Sequence, residues 1–257
     1  MSAEPPSEPQ AKPTRGEGGQ RARHRQARTQ EYLRTALDIV TTEGFDALTM
    51  QRLADECDSA IGAVYRYFPS KGALVAEVQR EAVDRLSTSY ALVRARTDAE
   101  LPAFDLPADE LALARVVLLG RWFVALGDTH PQELRLLQML IGAAQVVVPV
   151  EEGMRVLPSV FRLLDMARAC LDGAVDAGVL DERADSMTRV VIWAAAVGGV
   201  LQASRLDVYD AELIVGPTMS LSLTMDLFQA WGATRDQLDA ANEVVDRLVA
   251  TGPIAPR

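Results

Sequence analysis

The spacing of apolar residues, interrupted by proline and glycine, constrains the fold of this chain more than any other feature of its sequence. Apolar side chains recur every three or four residues from Tyr32 to Val40, and the same period returns in later segments. The sequence has no stretch with the every-second-residue alternation of a half-buried strand. Aromatic residues are only 5% of the chain, while Ala, Leu, Val and Arg are abundant. The chain is therefore predicted to be all-α, with about nine or ten helices.

Charge is distributed unevenly along the chain, whose net charge is -10. Residues 21–85 carry ten Lys or Arg and ten Asp or Glu, whereas residues 86–257 carry 14 and 23. An acidic surface is repelled by nucleic-acid phosphates. Only the N-terminal segment is therefore expected to approach a nucleic acid.

Three regions are predicted. Proline and glycine are concentrated in residues 1–20, which are expected to be a disordered tail. Residues 21–70 are predicted to form a small helical domain, and residues 71–257 a larger one that begins with a helix capped by Ser70. The other helices expected in the larger domain cover about residues 108–126, 131–147, a segment ending near 178, 186–205, 217–231 and a last helix capped by Thr234.

The most informative segment lies between Gly44 and Leu74. Gly44 is expected to end the first helix, and Thr49 to cap a short second helix. A tight turn at Cys57-Asp58 then leads to another short helix, roughly residues 59–67. Two short helices joined by such a turn form a helix-turn-helix, which places its second helix in the major groove of DNA.

The residues of this segment resemble those of the TetR family of bacterial regulators. The resemblance is close over about residues 28–78, and beyond that only the helix count and the turn Gly178-Val-Leu180 match. The residues that carry it are Gly44-Phe45, Thr49, Leu53-Ala54, Gly62, Val64 and the run Tyr65-Arg-Tyr-Phe-Pro-Ser-Lys71.

The resemblance implies roles for individual residues. Thr49, Tyr65, Tyr67 and Lys71 match positions that bind phosphates. Gly62 and Ala63 match positions where the recognition helix approaches the bases. The resemblance thus makes the segment a candidate DNA-binding domain.

The chain also departs from the family pattern. Asp58 stands where glycine is usual in the turn, and Ala60 where Ser or Thr commonly begins the recognition helix, so Ser59 or Asp58 is expected to cap it instead. Ile61 and Ala63 replace residues that are commonly polar. Little hydrogen-bonding capacity then remains on this helix.

We therefore hypothesise that Ala60, Ile61 or Ala63 contact thymine methyl groups. Gln51 and Arg52 would add polar contacts, and the arginines of residues 21–28 would reach the minor groove. Solvated surface is the alternative for Arg52 and Arg66. Core packing is the alternative for Tyr65 and the expected role of Phe68. The candidate DNA-binding residues are Arg25, Arg28, Thr49, Gln51, Arg52, Ala60, Ile61, Gly62, Ala63, Tyr65, Arg66, Tyr67 and Lys71.

The resemblance implies that the larger domain dimerises and holds a pocket for a small effector. Residues 186–205 and 217–231 are the expected dimerisation helices. The alternative for the very apolar residues 186–205 is a helix central to its own domain. Pockets are mostly apolar with a few polar groups, so the candidate ligand-binding residues are Trp122, Phe123, Leu126, Gln138, Met139, Gln145, Phe161 and Trp193.

Enzymatic chemistry and cofactors are not expected. Cys57 and Cys170 are isolated, and with only His24 and His130 beside them they do not match a zinc site. The sequence shows no nucleophile–base set and no glycine-rich phosphate loop. No signal peptide is expected, and the uncharged apolar run 190–201 is too short to span a bilayer. A cytoplasmic protein without membrane contact is predicted.

The sequence thus predicts a homodimeric DNA-binding transcriptional regulator that recognises a palindromic operator in double-stranded DNA. Repression relieved by a small, largely apolar effector is the expected mode of control, with activation left open. The alternative is a DNA-binding regulator whose larger domain only mediates protein–protein association.

Overall fold

A computed structural model describes residues 15–142, 149–203 and 216–256 of the chain, and every regular element in these residues is helical. The all-α prediction is confirmed. Eleven α-helices and one short 3-10 helix are present in the described residues: α1 Arg15–Glu43, α2 Met50–Glu56, α3 Ile61–Tyr67, α4 Lys71–Glu100, the 3-10 helix Leu101–Phe104, α5 Ala108–Thr129, α6 Pro131–Gly142, α7 Val150–Gly153, α8 Leu157–Asp176, α9 Ser186–Ala203, α10 Gly216–Ala230 and α11 Arg235–Thr251.

The chain divides into two compact units, the first ending at Leu74 and the second beginning at Val75. In the first unit, the apolar side of α1 is buried, as its helical spacing predicts. Gly44 ends this helix with a φ of 93°, and its N–H donates to the carbonyl of Val40 at 3.0 Å. The core of the unit is completed by buried residues from α2, α3 and the loops: Leu48, Met50, Leu53, Ala54, Val64 and Phe68.

The first helix begins earlier than the sequence predicts. Residues 15–20 were expected to belong to the disordered tail, but they form the first turns of α1. Adding a turn to an existing helix requires no new nucleation, so the glycines at 16, 18 and 19 weaken the helix without preventing it. The predicted tail at residues 1–14 lies outside the described residues.

The second unit is built around α5, which packs against α6, α8, α10 and α11. Side chains on nearly all sides of α5 are buried, including Leu113, Trp122 and Leu126. A helix that is apolar all round is stable only when other helices surround it. The core of the second unit therefore lies along this helix.

Proline and capping residues set the helix ends of the second unit much as predicted. Gly178 follows α8 with a φ of 74°, and Thr234 and Gln237 form a reciprocal capping box at the start of α11. Pro158 lies in the first turn of α8, where its missing N–H costs nothing. The predicted helical residues 143–147 and 204–205 lie outside the described residues.

A buried arginine ties the turn between α8 and α9 to the end of α10. Arg189 is 1% exposed and donates to both the carbonyl and the carboxylate of Asp181. The Asp181 N–H donates to the carbonyl of Trp231 at 2.8 Å. Hydrogen bonds from Arg183 and then Arg189 hold the pKa of Asp181 well below its usual value. The carboxylate is therefore charged at neutral pH, and Arg189 is paired inside the fold.

Helices α5 and α10 approach each other closely at Gly120. A Cβ atom at this position would lie 2.7 Å from Cγ2 of Thr224. Thr224 cannot turn away freely, because its hydroxyl donates to the Ser220 carbonyl at 2.7 Å and accepts from Nε1 of Trp193 at 3.1 Å. Glycine at 120 thus permits the contact between the two helices.

We expect Gly120→Ala to lower the free energy of unfolding by ~1–2 kcal/mol, because overpacking outweighs the better helix propensity of alanine. Gly127→Ala is the matched control, since Gly127 lies in the same helix with open space around its Cα. This variant should be neutral or stabilised by up to ~1 kcal/mol. Urea unfolding of both proteins measures the difference, and equal stabilities would contradict the proposed close approach.

Candidate nucleic-acid interface

The turn between α2 and α3 has the geometry of a helix-turn-helix. The Thr49 hydroxyl accepts from the N–H of Arg52 at 3.0 Å and so caps α2, as predicted. Asp58 adopts a φ of 47° in the turn, and the Ser59 N–H donates to the carbonyl of Ala54 at 2.8 Å. Aspartate tolerates this left-handed conformation, so the turn forms without glycine.

The start of α3 differs from the prediction that Ser59 or Asp58 caps it. Ala60 is the N-cap residue, and no side-chain hydrogen bond caps the helix. The Ser59 hydroxyl is occupied elsewhere, because it lies 2.9 Å from the Tyr32 hydroxyl and accepts from Arg28. Ser59 therefore attaches the turn to α1.

The recognition helix turns one face outward. Val64 is fully buried beneath α3, whereas Ile61, Gly62, Tyr65 and Arg66 on the other side are exposed. A Cβ atom added at Gly62 would meet no atom within 4 Å, so another molecule's surface can approach the backbone there. Tyr65 is 47% exposed, which excludes the alternative that it is a core residue.

The remaining members of the predicted recognition set lie beside this face. Ala60 is exposed, and Ala63 and Tyr67 are half-buried. Phe68 is buried and belongs to the core, as expected. The outward face of α3 is thus mostly apolar, as its sequence predicts.

Arg28, predicted to contact DNA, is occupied within the protein. Its guanidinium donates to the carbonyl of Cys57 at 2.9 Å, to Glu31 at 2.6 Å and to the Ser59 hydroxyl. Hydrogen bonds from Arg28 to Tyr32 and Glu31 raise the pKa of Arg28. These contacts connect α1 to the turn, so Arg28 positions the recognition helix rather than offering a free cation.

Three other predicted DNA contacts also have intramolecular partners. Arg52 forms a bidentate ion pair with Glu43, with N–O distances of 2.6 and 2.7 Å. This hydrogen bonding lowers the pKa of the Glu43 carboxyl. The amide of Gln51 donates to Asp55 at 2.7 Å, and Nζ of Lys71 donates to the carbonyl of Phe45 at 2.6 Å. Each of these bonds would have to open or be shared before the side chain could contact a phosphate.

A basic groove lies beside the recognition helix. It has a volume of about 970 Å³ and combines the outer face of α1 with the end of α3. The guanidinium of Arg25 lies 5.7 Å from the ring centroid of Tyr67. The residues that line the groove are Gln20, Arg21, His24, Arg25, Arg28, Arg66 and Tyr67.

Two of these groove residues, Gln20 and His24, were not among the predicted DNA contacts, whereas Arg21 was expected to contact DNA as one of the arginines of residues 21–28. The four-residue interval from Gln20 to His24, one turn of α1, is the signal that could have identified the two. These side chains project from a regular helix, which begins before them at Arg15. A helix is thicker than an extended arm, so phosphates at the groove edge are easier for it to reach than the floor of a minor groove.

The candidate ligand-binding residues fall into two groups. Trp122, Phe123 and Trp193 line one apolar cavity of about 170 Å³ inside the second unit. Three of the other described candidates do not line it: Leu126 is buried in the core, and Gln138 and Met139 of α6 are half-buried. Gln145 lies outside the described residues.

Phe161 is the clearest correction among these candidates. It is 54% exposed, because α8 turns Val160, Leu163, Leu164 and Ala167 toward the cavity and leaves position 161 on the outside. The spacing of these four residues, at i, i+3, i+4 and i+7, is the pattern that could have located the inner face of α8.

The match to a known protein family lies almost entirely in the first unit. Residues 33–78 match the profile described as bacterial regulatory proteins of the tetR family. The HTH-type transcriptional repressor KstR of Mycobacterium tuberculosis is 32% identical over 84 residues, which is 33% of this chain and 35% of KstR. The HTH-type regulator YuxN of Bacillus subtilis is 31% identical over 72 residues, 28% of this chain and 25% of YuxN. The chain thus matches only about a third or less of these relatives' length.

Solved structures extend the likeness to most of the chain, at the level of fold. The MbdR regulator from Azoarcus sp. CIB superposes with a TM-score of 0.54 at 21% identity, covering 78% of this chain and 96% of MbdR. A TetR-family transcriptional regulator from Agrobacterium tumefaciens gives a TM-score of 0.53 at 18% identity, covering 81% of this chain and 99% of that protein. Both units therefore occur together in known folds.

We expect Tyr32→Phe to lower the free energy of unfolding by ~1 kcal/mol, because the variant loses the hydroxyl that contacts Ser59 and Arg28 in a buried setting. Tyr65→Phe is the matched control, since that ring is exposed on the same unit. Thermal unfolding followed by circular dichroism compares the two. A Tyr65 variant as destabilised as the Tyr32 variant would show that the hydroxyl of Tyr32 is not a structural bond.

Proposed function

Since the chain belongs to the TetR family of bacterial transcriptional regulators, we propose that it binds a palindromic operator as a homodimer and represses transcription until a small effector releases it. The family is one of DNA-binding regulators and not of enzymes. A cytoplasmic location follows from binding to chromosomal DNA. The outward face of α3, flanked by the basic groove, is the observation that carries the proposal.

DNA recognition divides between two surfaces. The exposed α3 face offers Ile61 and the backbone at Gly62 to base edges, so thymine methyl groups are its natural contacts. Arg21, Arg25 and Arg66 of the groove, with Tyr65 and Tyr67, hold the phosphates on either side. Thr49 and Lys71 join them once Lys71 exchanges its carbonyl partner for a phosphate oxygen. Phosphate contacts then supply affinity, and the apolar α3 face supplies sequence preference.

Arg25→Ala should weaken binding to a duplex selected from a randomised pool and reduce the slope of log K against log salt by about 1, because one phosphate contact is lost. Arg34→Ala is the matched control, since Arg34 is exposed on the same helix but does not line the groove. Fluorescence anisotropy at several salt concentrations measures both effects. If the two variants show the same slope, the groove is not the phosphate-binding surface.

Dimerisation is proposed to use α9 and α10. Val191 and Ile192 of α9 are 49% and 48% exposed, and Met219 of α10 is 44% exposed. Among the described residues, α9 is the one helix long and apolar enough by length and composition to cross a membrane, and 28% of it is buried. A helix central to its own domain would be more enclosed. An outward apolar face on a DNA-binding protein fits contact with the same face of a second copy.

We expect Ile192→Asp to convert the dimer to monomer in sedimentation velocity, because a carboxylate would be buried without a partner in the interface. Met154→Asp is the matched control, since Met154 is an exposed apolar residue of the same unit outside α9 and α10. The Ile192→Asp variant should also lose cooperative binding to a palindrome whose half-sites lie ~34–36 Å apart. A dimer that persists in both variants would place the interface elsewhere.

Effector control is proposed to act from the cavity in the second unit. Its walls include Trp193 of α9 and Tyr90 of α4, so a bound molecule contacts both the proposed dimerisation helix and the helix that begins at Lys71. Coupling of about 1–3 kcal/mol is typical of such control. The preformed cavity favours this arrangement over a second unit that serves only for protein association. Measuring operator affinity with and without cavity ligands tests the coupling.

A further inference from the structure

The described residues that line the cavity in the second unit come from five helices and present only apolar surface to it. Helices α5, α8 and α9 supply most of the lining, while Tyr90 of α4 and Leu137 of α6 complete it. Three of the lining side chains, Tyr90, Trp122 and Trp193, carry a polar atom at one end. Whether those atoms are free decides which class of molecule the cavity can hold.

Both indole N–H groups already have partners in the protein. Nε1 of Trp122 donates to the Ser89 hydroxyl at 3.3 Å, and Nε1 of Trp193 donates to the Thr224 hydroxyl at 3.1 Å. Tyr90 also lines a separate space together with Cys170. Among the described residues, the cavity therefore offers a ligand aromatic and aliphatic surface, and the indole donors of its lining are already used.

The described lining of the cavity contains no charged side chain. Burial raises the pKa of the Cys170 thiol to about 11 and the pKa of Tyr90 well above its usual value, so both are neutral. Arg94 and Arg115 line a separate space that shares only Tyr90 with the described lining of the cavity. Both arginines are paired with Asp98, at 3.6 and 2.8 Å. A carboxylate bound in the cavity would thus be desolvated without a counter-charge.

The volume of the cavity and its access to the surface suit a small ring compound. A cavity of about 150 Å³ lined by aliphatic and aromatic side chains holds benzene in another protein, and the present one measures about 170 Å³. Val191 and Ala195 line the cavity and are also exposed on α9 of the single chain, so the cavity reaches the surface beside them, on the helix proposed for dimerisation. A single substituted ring can enter and fill it.

We propose that this cavity binds an uncharged, hydrocarbon-like molecule of the size of a methylated benzene ring, held without any hydrogen bond. Among the described residues, the predicted polar anchor Gln138 does not line the cavity, so shape and apolar contact select the ligand there. The role of this ligand as an effector rests on the proposed function, whereas its binding does not.

Toluene and benzoate are the probes, because they share a ring and differ in charge. Calorimetric titration of the full chain should show saturable binding of toluene, with benzoate at least tenfold weaker. Emission from the tryptophans should change in step with toluene binding, because Trp122 and Trp193 line the cavity. Benzoate that binds as tightly as toluene, or toluene that fails to saturate the folded protein, overturns the proposal.

Ala194→Leu fills the cavity from α9 and should weaken toluene binding at least tenfold. Ala203→Leu is the control, since Ala203 is exposed on the same helix and does not line the cavity. Toluene binding unchanged in Ala194→Leu would place the ligand elsewhere and overturn the proposal. Leu163→Ala provides a test that does not depend on filling: the enlarged cavity should bind 1,3,5-trimethylbenzene at least tenfold more tightly than the parent chain.

The same protein samples are titrated with the selected duplex, first without ligand and then with toluene. Loss of DNA binding without ligand would refute the proposed function and leave the cavity result intact. Toluene binding that releases the duplex supports both. Toluene binding that leaves duplex affinity unchanged confirms the ligand class and removes the effector role.

Discussion

The attachment of the helix-turn-helix to α1 is the constraint on which the DNA-binding surface depends. Val64 and Leu53 bury one side of each short helix. Arg28 and Tyr32 of α1 hold the turn by hydrogen bonds to Ser59, and Arg28 also donates to the carbonyl of Cys57. A seven-residue helix has little stability of its own. Burial of one side and hydrogen bonds at its entrance fix which residues of α3 face outward, and that orientation makes a recognition surface possible.

The first unit can present a basic surface although the net charge of the protein is -10. Arg28 and Arg52 are neutralised by Glu31 and Glu43 and serve the fold. The cations of the groove come instead from the outer face of α1 and from Arg66. The acidic excess belongs to the sequence of the second unit, so the groove of the first unit can keep a positive potential of its own.

In the second unit, satisfied polar groups shape the apolar interior. Thr224 accepts from Trp193 while its methyl group lies against Gly120, so one residue fixes both an indole of the cavity wall and the distance between α5 and α10. Ser89 likewise accepts from the indole N–H of Trp122. Because both indole N–H groups are bonded within the protein, the described lining leaves only apolar surface toward the enclosed space.

Local signals in the sequence determined the helices and their ends. Gly44, Thr49, Ser70 and Thr234 act on neighbours within four residues, and such bonds can be recognised from a short window. The apolar period likewise specified the all-α class and the buried side of α1.

Tertiary structure alone decided which polar side chains are free. Arg28 meets a carbonyl 29 residues away, and Lys71 one 26 residues away, partners that no local pattern reveals. It also decided that Phe161 faces outward and that Gln138 misses the cavity, because the direction of a side chain depends on how its helix is rotated against its neighbours. Residue type and spacing name the candidates for a site, but packing between distant segments determines which of them reach it.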